Sequence, residues 1–142
     1  MRISPDDYQS PLLVAQIYDD LGRPADAAMA RKRGVVIATR RQETNPDDAR
    51  ALYMAANGLV ALGERESGRH LAEHALTIQP DDPMLLYNVG RVFSMLGLVD
   101  QALDCLEKAA ATGLTQKAWY EHDNNLDTAR NHPRFHRLLQ TL

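Results

Sequence analysis

Two short motifs recur along this chain at matching intervals. The tripeptide Pro-Asp-Asp occurs three times, beginning at Pro5, Pro46 and Pro80. Each copy is followed by a Leu-Gly pair, which begins at Leu21, Leu62 or Leu96. Both motifs step by 41 residues from the first copy to the second and by 34 from the second to the third. A period of this size indicates stacked supersecondary units, which usually form binding surfaces rather than catalytic pockets.

Each unit has the pattern of two helices. When the copies are aligned on Leu-Gly, apolar residues recur at i, i+3, i+4 and i+7, the stripe of an amphipathic helix. The predicted N-caps of these first helices are Ser10, Asp48 and Asp82. The glycines that end them in a left-handed conformation are Gly22, Gly63 and Gly97. A second apolar stripe follows each glycine, so the sequence predicts three helical hairpins.

The first unit contains seven extra residues. The 41-residue match still holds at Ile37 and Ile78, which places the insertion within residues 38–45. Seven residues make about two helical turns, so a helix can lengthen by this amount without rotating the unit that follows. We therefore predict one continuous helix from Pro24 to about Thr44.

This pattern resembles the tetratricopeptide repeat, a unit of 34 residues with Leu-Gly near the end of its first helix. A large residue recurs at Tyr18, Leu59 and Phe93, and a small one at Ala27, Gly68 and Ala102. The resemblance implies an all-α fold, a right-handed α-solenoid of three tetratricopeptide hairpins. We expect a single domain over residues 1–142, with repeats at about 8–45, 46–79 and 80–113 and a C-terminal helical cap at 114–142.

The last segment does not continue the repeat, because Pro133 would break the second helix of a fourth unit. It resembles the tail that closes many bacterial tetratricopeptide arrays, often at the C-terminus of nucleotide cyclases, Ser/Thr kinases and transcription regulators. The apolar residues available to cover the end of the solenoid are Trp119, Leu126, Phe135, Leu138 and Leu139. We predict helices at about Gln116–His122 and Pro133–Gln140, with a short helical turn between them.

In tetratricopeptide arrays the first helices line a concave groove, and the resemblance places a partner-binding surface there. We expect this surface to include Arg50, Tyr53, Asn57, Met84, Tyr87, Asn88 and Arg91. Aromatic rings contribute contact area, while amide and guanidinium groups suit a peptide backbone or a carboxylate. The expected function is a non-catalytic interaction module for a protein or peptide ligand. The alternative for Tyr53 and Tyr87 is that they pack against each other or against the tail.

A second function comes from a different motif. His70, Glu73 and His74 match H-x-x-E-H, the inverted zinc-protease signature, and would indicate a metal-dependent hydrolase. The helical pattern leaves both histidines on the outer surface, however, and no third ligand is evident. Nothing in the sequence resembles a catalytic triad, a phosphate loop or a paired-carboxylate site. We therefore expect no enzyme, no metal and no cofactor.

Basic residues concentrate on the long predicted helix. They include Arg31, Lys32, Arg33, Arg40 and Arg41. Two interpretations remain, a solvated helix face and a docking patch for an acidic partner domain. Nucleic acid is disfavoured, because no aromatic platform accompanies the charges and the formal net charge of the chain is -3.

Hydropathy bears on the location of the protein. No apolar run approaches the roughly 18 residues of a membrane-spanning helix, and the first residues lack the apolar core of a signal peptide. We expect a cytoplasmic protein without a membrane partner. The pattern leaves the choice between monomer and dimer open.

Overall fold

The computed structural model of the chain describes residues 7–142, and all its regular elements are helical. The helices are α1 (Gln9–Asp20), α2 (Pro24–Thr44), α3 (Ala49–Ala61), α4 (Arg65–Ile78), α5 (Pro83–Met95), α6 (Val99–Ala111), α7 (Lys117–His122), α8 (Asp127–Arg130) and α9 (Pro133–Gln140). A 3-10 turn at Asn124–Leu126 leads into α8. No helix within residues 7–142 is both long and apolar enough to cross a membrane.

The ends of α3 and α5 have the predicted caps. Asp48 Oδ1 accepts a hydrogen bond from the backbone N–H of Ala51 at 3.1 Å, and Asp82 Oδ1 accepts one from Leu85 at 2.9 Å. The predicted left-handed glycines are also confirmed, with φ angles of 71°, 90° and 77° at Gly22, Gly63 and Gly97. Local sequence signals therefore set where these helices begin and end.

The start of α1 differs from the prediction. Ser10 lies in the first turn of the helix rather than at its N-cap, because the helix begins at Gln9. Asp7 supplies the acceptor instead, since its Oδ1 accepts hydrogen bonds from the backbone N–H groups of Gln9 and Ser10, both at 3.0 Å. Asp7, three residues before Ser10, therefore caps the start of α1 in place of the predicted serine.

The helices pair in chain order into three hairpins stacked in a row. α1 packs on α2, α3 on α4 and α5 on α6, and successive hairpins meet through α2–α3, α3–α5 and α4–α5. The long helix predicted for the first hairpin is confirmed, because α2 runs without a break from Pro24 to Thr44. This all-helical solenoid fits a tetratricopeptide-type helical repeat protein.

Small residues allow the paired helices to approach closely. A Cβ atom at Gly68 would lie 2.4 Å from Val60 Cγ2 and 2.9 Å from the carbonyl oxygen of Ala56. The equivalent residues Ala27 and Ala102 are fully buried. The recurring small residue is therefore a packing requirement of each hairpin.

The last helices cover the end of the stack. The 3-10 turn and α8 contact α5, while α8 and α9 contact α6. Leu126, Ala129 and Phe135 have no exposed surface, so this segment belongs to the main hydrophobic core. We refer to residues 114–142 as the cap.

One aromatic residue of the cap departs from the expectation. Trp119, expected on the apolar face, is 43% exposed, while its neighbour Tyr120 is fully buried. The Tyr120 hydroxyl donates a hydrogen bond to the carbonyl oxygen of Leu114 at 2.7 Å, and burial raises the pKa of this tyrosine to about 12. Adjacent helical residues lie about 100° apart around the axis, so only one of the two can face the core.

Two arginines stabilise the cap. Arg130 donates hydrogen bonds to the carbonyl oxygens of Tyr120, Glu121 and Asp123, which lie at the C-terminal end of α7 and would otherwise lack helical partners. Arg134 joins α9 to α6 through hydrogen bonds to Glu107 and Asp104, and these raise the pKa of its guanidinium. The cap is thus joined to the third hairpin by charged as well as apolar contacts.

Candidate functional site

A groove runs across the first helices of the three hairpins. Its central cavity has a volume of about 290 Å³ and is lined from α1, α2, α3 and α5. Six of the seven predicted binding residues line it, namely Arg50, Tyr53, Asn57, Met84, Asn88 and Arg91. The spacing of i, i+3 or i+4 and i+7 along α3 and α5 puts these side chains on the same side of each helix. We call this cavity and its rim the groove.

Tyr87, the seventh predicted residue, lies against the cap. It is 3% exposed, and the single proton of its hydroxyl is shared between two acceptors, Asp123 Oδ2 at 2.8 Å and the Trp119 carbonyl oxygen at 3.1 Å. Its ring meets the Tyr120 ring edge-on, with centroids 5.2 Å apart. Burial, followed by the charge of Asp123, raises the pKa of Tyr87. Little of this side chain is left for a partner to contact.

Of the arginines that line the groove, Arg31 and Arg91 already have carboxylate partners. Arg31 pairs with Asp19. Arg91 Nε lies 2.8 Å from Asp123 Oδ2, at an angle that makes the contact an ion pair rather than a hydrogen bond. Arg50 is exposed and has no ion pair with any residue that the structure describes. Arg50 is therefore the guanidinium best able to receive an external carboxylate.

The two asparagines of the groove differ in the same way. Asn88 is engaged at both ends of its amide, which donates to the Met84 carbonyl oxygen at 2.8 Å and accepts from Arg91 at 3.0 Å. Asn57 donates only to the sulfur of Met95 at 3.4 Å, and a thioether is a weak acceptor. Asn57 consequently keeps most of its hydrogen-bonding capacity for a ligand.

Tyr53 and Met84 belong to the apolar lining of the groove, which also includes Leu12, Leu13 and Met54. Tyr53 is mostly buried, and this burial raises its pKa, an effect that the nearby charge of Arg50 opposes. Within residues 7–142 its hydroxyl has no hydrogen-bond partner, although the ring lines the cavity. Met84 is exposed, and its flexible thioether side chain can adapt to an apolar group.

The groove changes charge along its length. Beyond Asn57 and Arg91 it continues into a cavity of about 370 Å³ whose additional lining includes Asp19, Asp20 and Asp123. The exposed cation Arg50 lines only the central cavity. The same cavity also contains Arg31 and Arg91, which pair with Asp19 and Asp123, so Asp20 is its carboxylate without an ion pair to a described residue. Arg50 therefore favours a negative group at one end of the groove, and Asp20 favours a positive group at the other.

The predicted basic residues do not share one surface. Arg31 lines the groove, whereas Arg33 lines a separate cavity on the outer side of the first hairpin. Arg41 Nε lies 3.1 Å from Asp48 Oδ2, in an ion pair that joins α2 to the cap of α3. Lys32 and Arg40 are exposed, without an ion pair to any described residue. The long helix distributes these charges around its circumference.

The H-x-x-E-H motif lies on the exposed side of α4. His70, Glu73 and His74 are all exposed, and Glu73 accepts a hydrogen bond from Arg69 at 2.9 Å. In the part of the chain that the structure describes, no group of three or more His, Cys, Asp or Glu residues could hold a metal ion. Cys105 is buried, which raises the pKa of its thiol to about 11 and disfavours the reactive thiolate. The hydrolase alternative therefore gains no support from the geometry.

Of the known proteins compared with this chain, solved structures gave a match. No protein-family model matches this chain, and no curated protein matches it. One similar solved structure is described as the crystal structure of MamA, with 22% sequence identity over 96% of this chain and 79% of that chain. The TM-score is 0.47, so the fold described above is assigned from the helix packing of this chain itself.

Proposed function

We propose that this protein is a non-catalytic interaction module that binds an extended peptide, or a segment of a partner protein, in the groove. The observation that carries the proposal is the convergence of Arg50, Asn57 and Tyr53, each with hydrogen-bonding capacity that its neighbours in the fold do not use. They surround a pocket whose apolar lining includes Met84 and the Tyr53 ring. Such a mixture of an apolar pocket and a few unpaired polar groups is typical of a binding site.

The charges indicate which segment would fit. An acidic side chain or a C-terminal carboxylate would meet Arg50, and a basic side chain would meet Asp20 at the other end of the groove. Between them an apolar side chain would fill the cavity beside Met84. We therefore expect the ligand to carry an acidic group, an apolar residue and a basic group in that order along the groove.

Binding of synthetic peptides tests this function. Fluorescence anisotropy would compare labelled peptides that differ only in the order of an acidic, an apolar and a basic residue. Arg50→Ala should weaken binding of the best peptide at least tenfold, and Tyr53→Phe should weaken it less, because only one hydroxyl is removed. Arg69→Ala is the matched control, since Arg69 is a partly exposed arginine on α4, outside the groove.

Two results would contradict the proposal. One is that no peptide of this set binds to the folded protein. The other is that Arg50→Ala and Arg69→Ala have the same effect on every peptide that does bind.

The wider setting is part of the same proposal. We infer from the tail pattern that the module is the C-terminal part of a larger bacterial signalling protein. The cytoplasmic location and the repeats at about 8–45, 46–79 and 80–113, which come from other features of the sequence, are part of this proposal. Lys32, Arg33 and Arg40, which are exposed, are the members of the predicted basic patch that an acidic domain could contact. Sequencing the surrounding gene would test this setting directly.

A further inference from the structure

The first hairpin carries most of the exposed large apolar side chains among the described residues. Eight large hydrophobic residues are exposed in the described part of the chain, and six of them lie between residues 13 and 36. Met29 is the most exposed, at 71%. Single exposed apolar residues are ordinary, but a cluster on one side of a hairpin marks an interaction surface.

Two of these residues, Val14 and Met29, line a cavity of about 610 Å³ formed by α1 and α2. We call its lining the N-terminal face, and its members used below are Val14, Asp26, Met29, Ala30, Arg33 and Ile37. Val14 is 39% exposed and Met29 is 71% exposed, so both leave apolar surface uncovered beside this cavity. The N-terminal face lies at the opposite end of the stack from the cap.

The repeat register relates the N-terminal face to equivalent positions of the second unit. Val14 and Ala30 align with Ala55 and Leu71 in the second unit. There Ala55 is buried, and Leu71 packs against the same cluster, which includes residues of the first hairpin. The part of the N-terminal face formed by Val14 and Ala30 is thus the side of a unit that packs on a preceding helical layer, here without one among the described residues. Met29 flanks this part, since its equivalent in the second unit, His70, is exposed.

The charges on this face complement each other. Asp26 and Arg33 lie seven residues apart on α2, on the same side of the helix and about 10 Å apart along its axis. Met29 and the small residue Ala30 lie midway between them. If two copies of α2 pack antiparallel about a two-fold axis at Met29 and Ala30, Arg33 of each copy lies opposite Asp26 of the other. Asp26 also pairs with Arg23 at 2.7 Å, but this ion pair is exposed and weak.

The cap determines how copies of this chain can meet. A head-to-tail stack would need the outgoing side of α6, where the cap helices α8 and α9 already pack and where Cys105, Leu106 and Ala109 are buried. Of the two end surfaces formed by residues 7–142, this leaves the N-terminal face to pair with itself, and such an isologous contact closes into a dimer instead of growing into a filament. We propose that a second copy of this chain covers the N-terminal face in a two-fold dimer.

Sedimentation equilibrium of the full chain tests the dimer. The protein should reach the mass of a dimer, and Met29→Glu should return it to a monomer with unchanged helical content. Met84→Glu is the matched control, because Met84 is also an exposed methionine but lines the groove, so this variant should remain a dimer. A wild-type protein that stays monomeric, or a Met29→Glu variant that stays dimeric, would overturn the proposal and leave the face to a preceding hairpin or another protein.

A charge exchange tests the antiparallel register. Arg33→Glu and Asp26→Arg should each weaken the dimer at least tenfold, because each places like charges opposite one another twice. Mixing the two variants should restore dimers that contain one copy of each, since opposite charges then face each other at both positions. Failure of the mixture to associate better than either variant alone would overturn this register.

Discussion

The two ends of the stack differ in whether the apolar side of the end hairpin is covered. Each end hairpin has an apolar side that no further hairpin within residues 7–142 covers. At the C-terminal end the cap buries this side with Leu126 and Phe135, whereas at the N-terminal end Val14 and Met29 remain exposed. The comparison shows that one end is closed by the chain itself, while the other keeps a surface suited to packing against another layer.

The largest expected effect comes from a substitution in the cap, at the C-terminal end of the stack. Phe135→Ala should lower the free energy of unfolding by about 3–5 kcal/mol, because the ring is fully buried in the core and its removal leaves a cavity. Trp119→Ala is the control from the same cap and should cost far less, since much of that ring is exposed. Urea unfolding followed by circular dichroism measures both. Equal and small effects would mean that the cap does not stabilise the stack.

The next prediction concerns the contact between cap and groove. Asp123→Ala should lower the free energy of unfolding by about 2–3 kcal/mol, because it removes the nearer of two acceptors of the Tyr87 hydroxyl and the partner of the buried Arg91 Nε. Asp127→Ala, which removes an exposed ion pair with Arg130, should cost less than about 1 kcal/mol. The same unfolding experiment compares them. If Asp127→Ala were the more damaging variant, the role assigned to Asp123 would be wrong.

A matched pair of valines compares the open end with the interior. Val14 and Val89 occupy the same register position in the first and third hairpins, but Val89 is fully buried. Val89→Ala should cost about 2 kcal/mol, the transfer of two buried carbons plus a small cavity. Val14→Ala should cost less than about 0.5 kcal/mol at concentrations where the chain is monomeric. If the loss of unfolding free energy caused by Val14→Ala increases with protein concentration, the Val14 side chain is buried between copies of the chain.

The smallest effect concerns alkaline pH. The folded protein raises the pKa of Tyr120 to about 12 from an ordinary value of 10.0, so the neutral phenol is the stabilised form. This contribution is complete below pH 10 and is lost as the pH rises toward 12. Between these values wild-type stability should fall by about 1 kcal/mol per pH unit more than that of Tyr120→Phe. Parallel pH profiles of the two proteins would contradict the buried position of this hydroxyl.

The groove shows how far sequence reasoning could reach. Six predicted residues line one cavity, because their helical spacing alone puts them on one side of α3 and α5. The spacing could not show that the Tyr87 hydroxyl is hydrogen-bonded to Asp123, which lies 36 residues away in the sequence. Nor could it show that Arg31 and Arg91 are paired while Arg50 is not, because those partners come from other helices.

The sequence by itself determined the helices. The 3.6-residue period, the aspartate caps and the left-handed glycines act within a few residues of each other, so the hairpins and the unbroken α2 could be derived before any tertiary contact was known. Only the tertiary structure decided that Tyr120 rather than Trp119 enters the core and which arginine of the groove is unpaired. Which side chain is buried and which arginine forms an ion pair depend on the surfaces that meet when the hairpins and the cap pack together. These surfaces bring together side chains that lie far apart in the sequence.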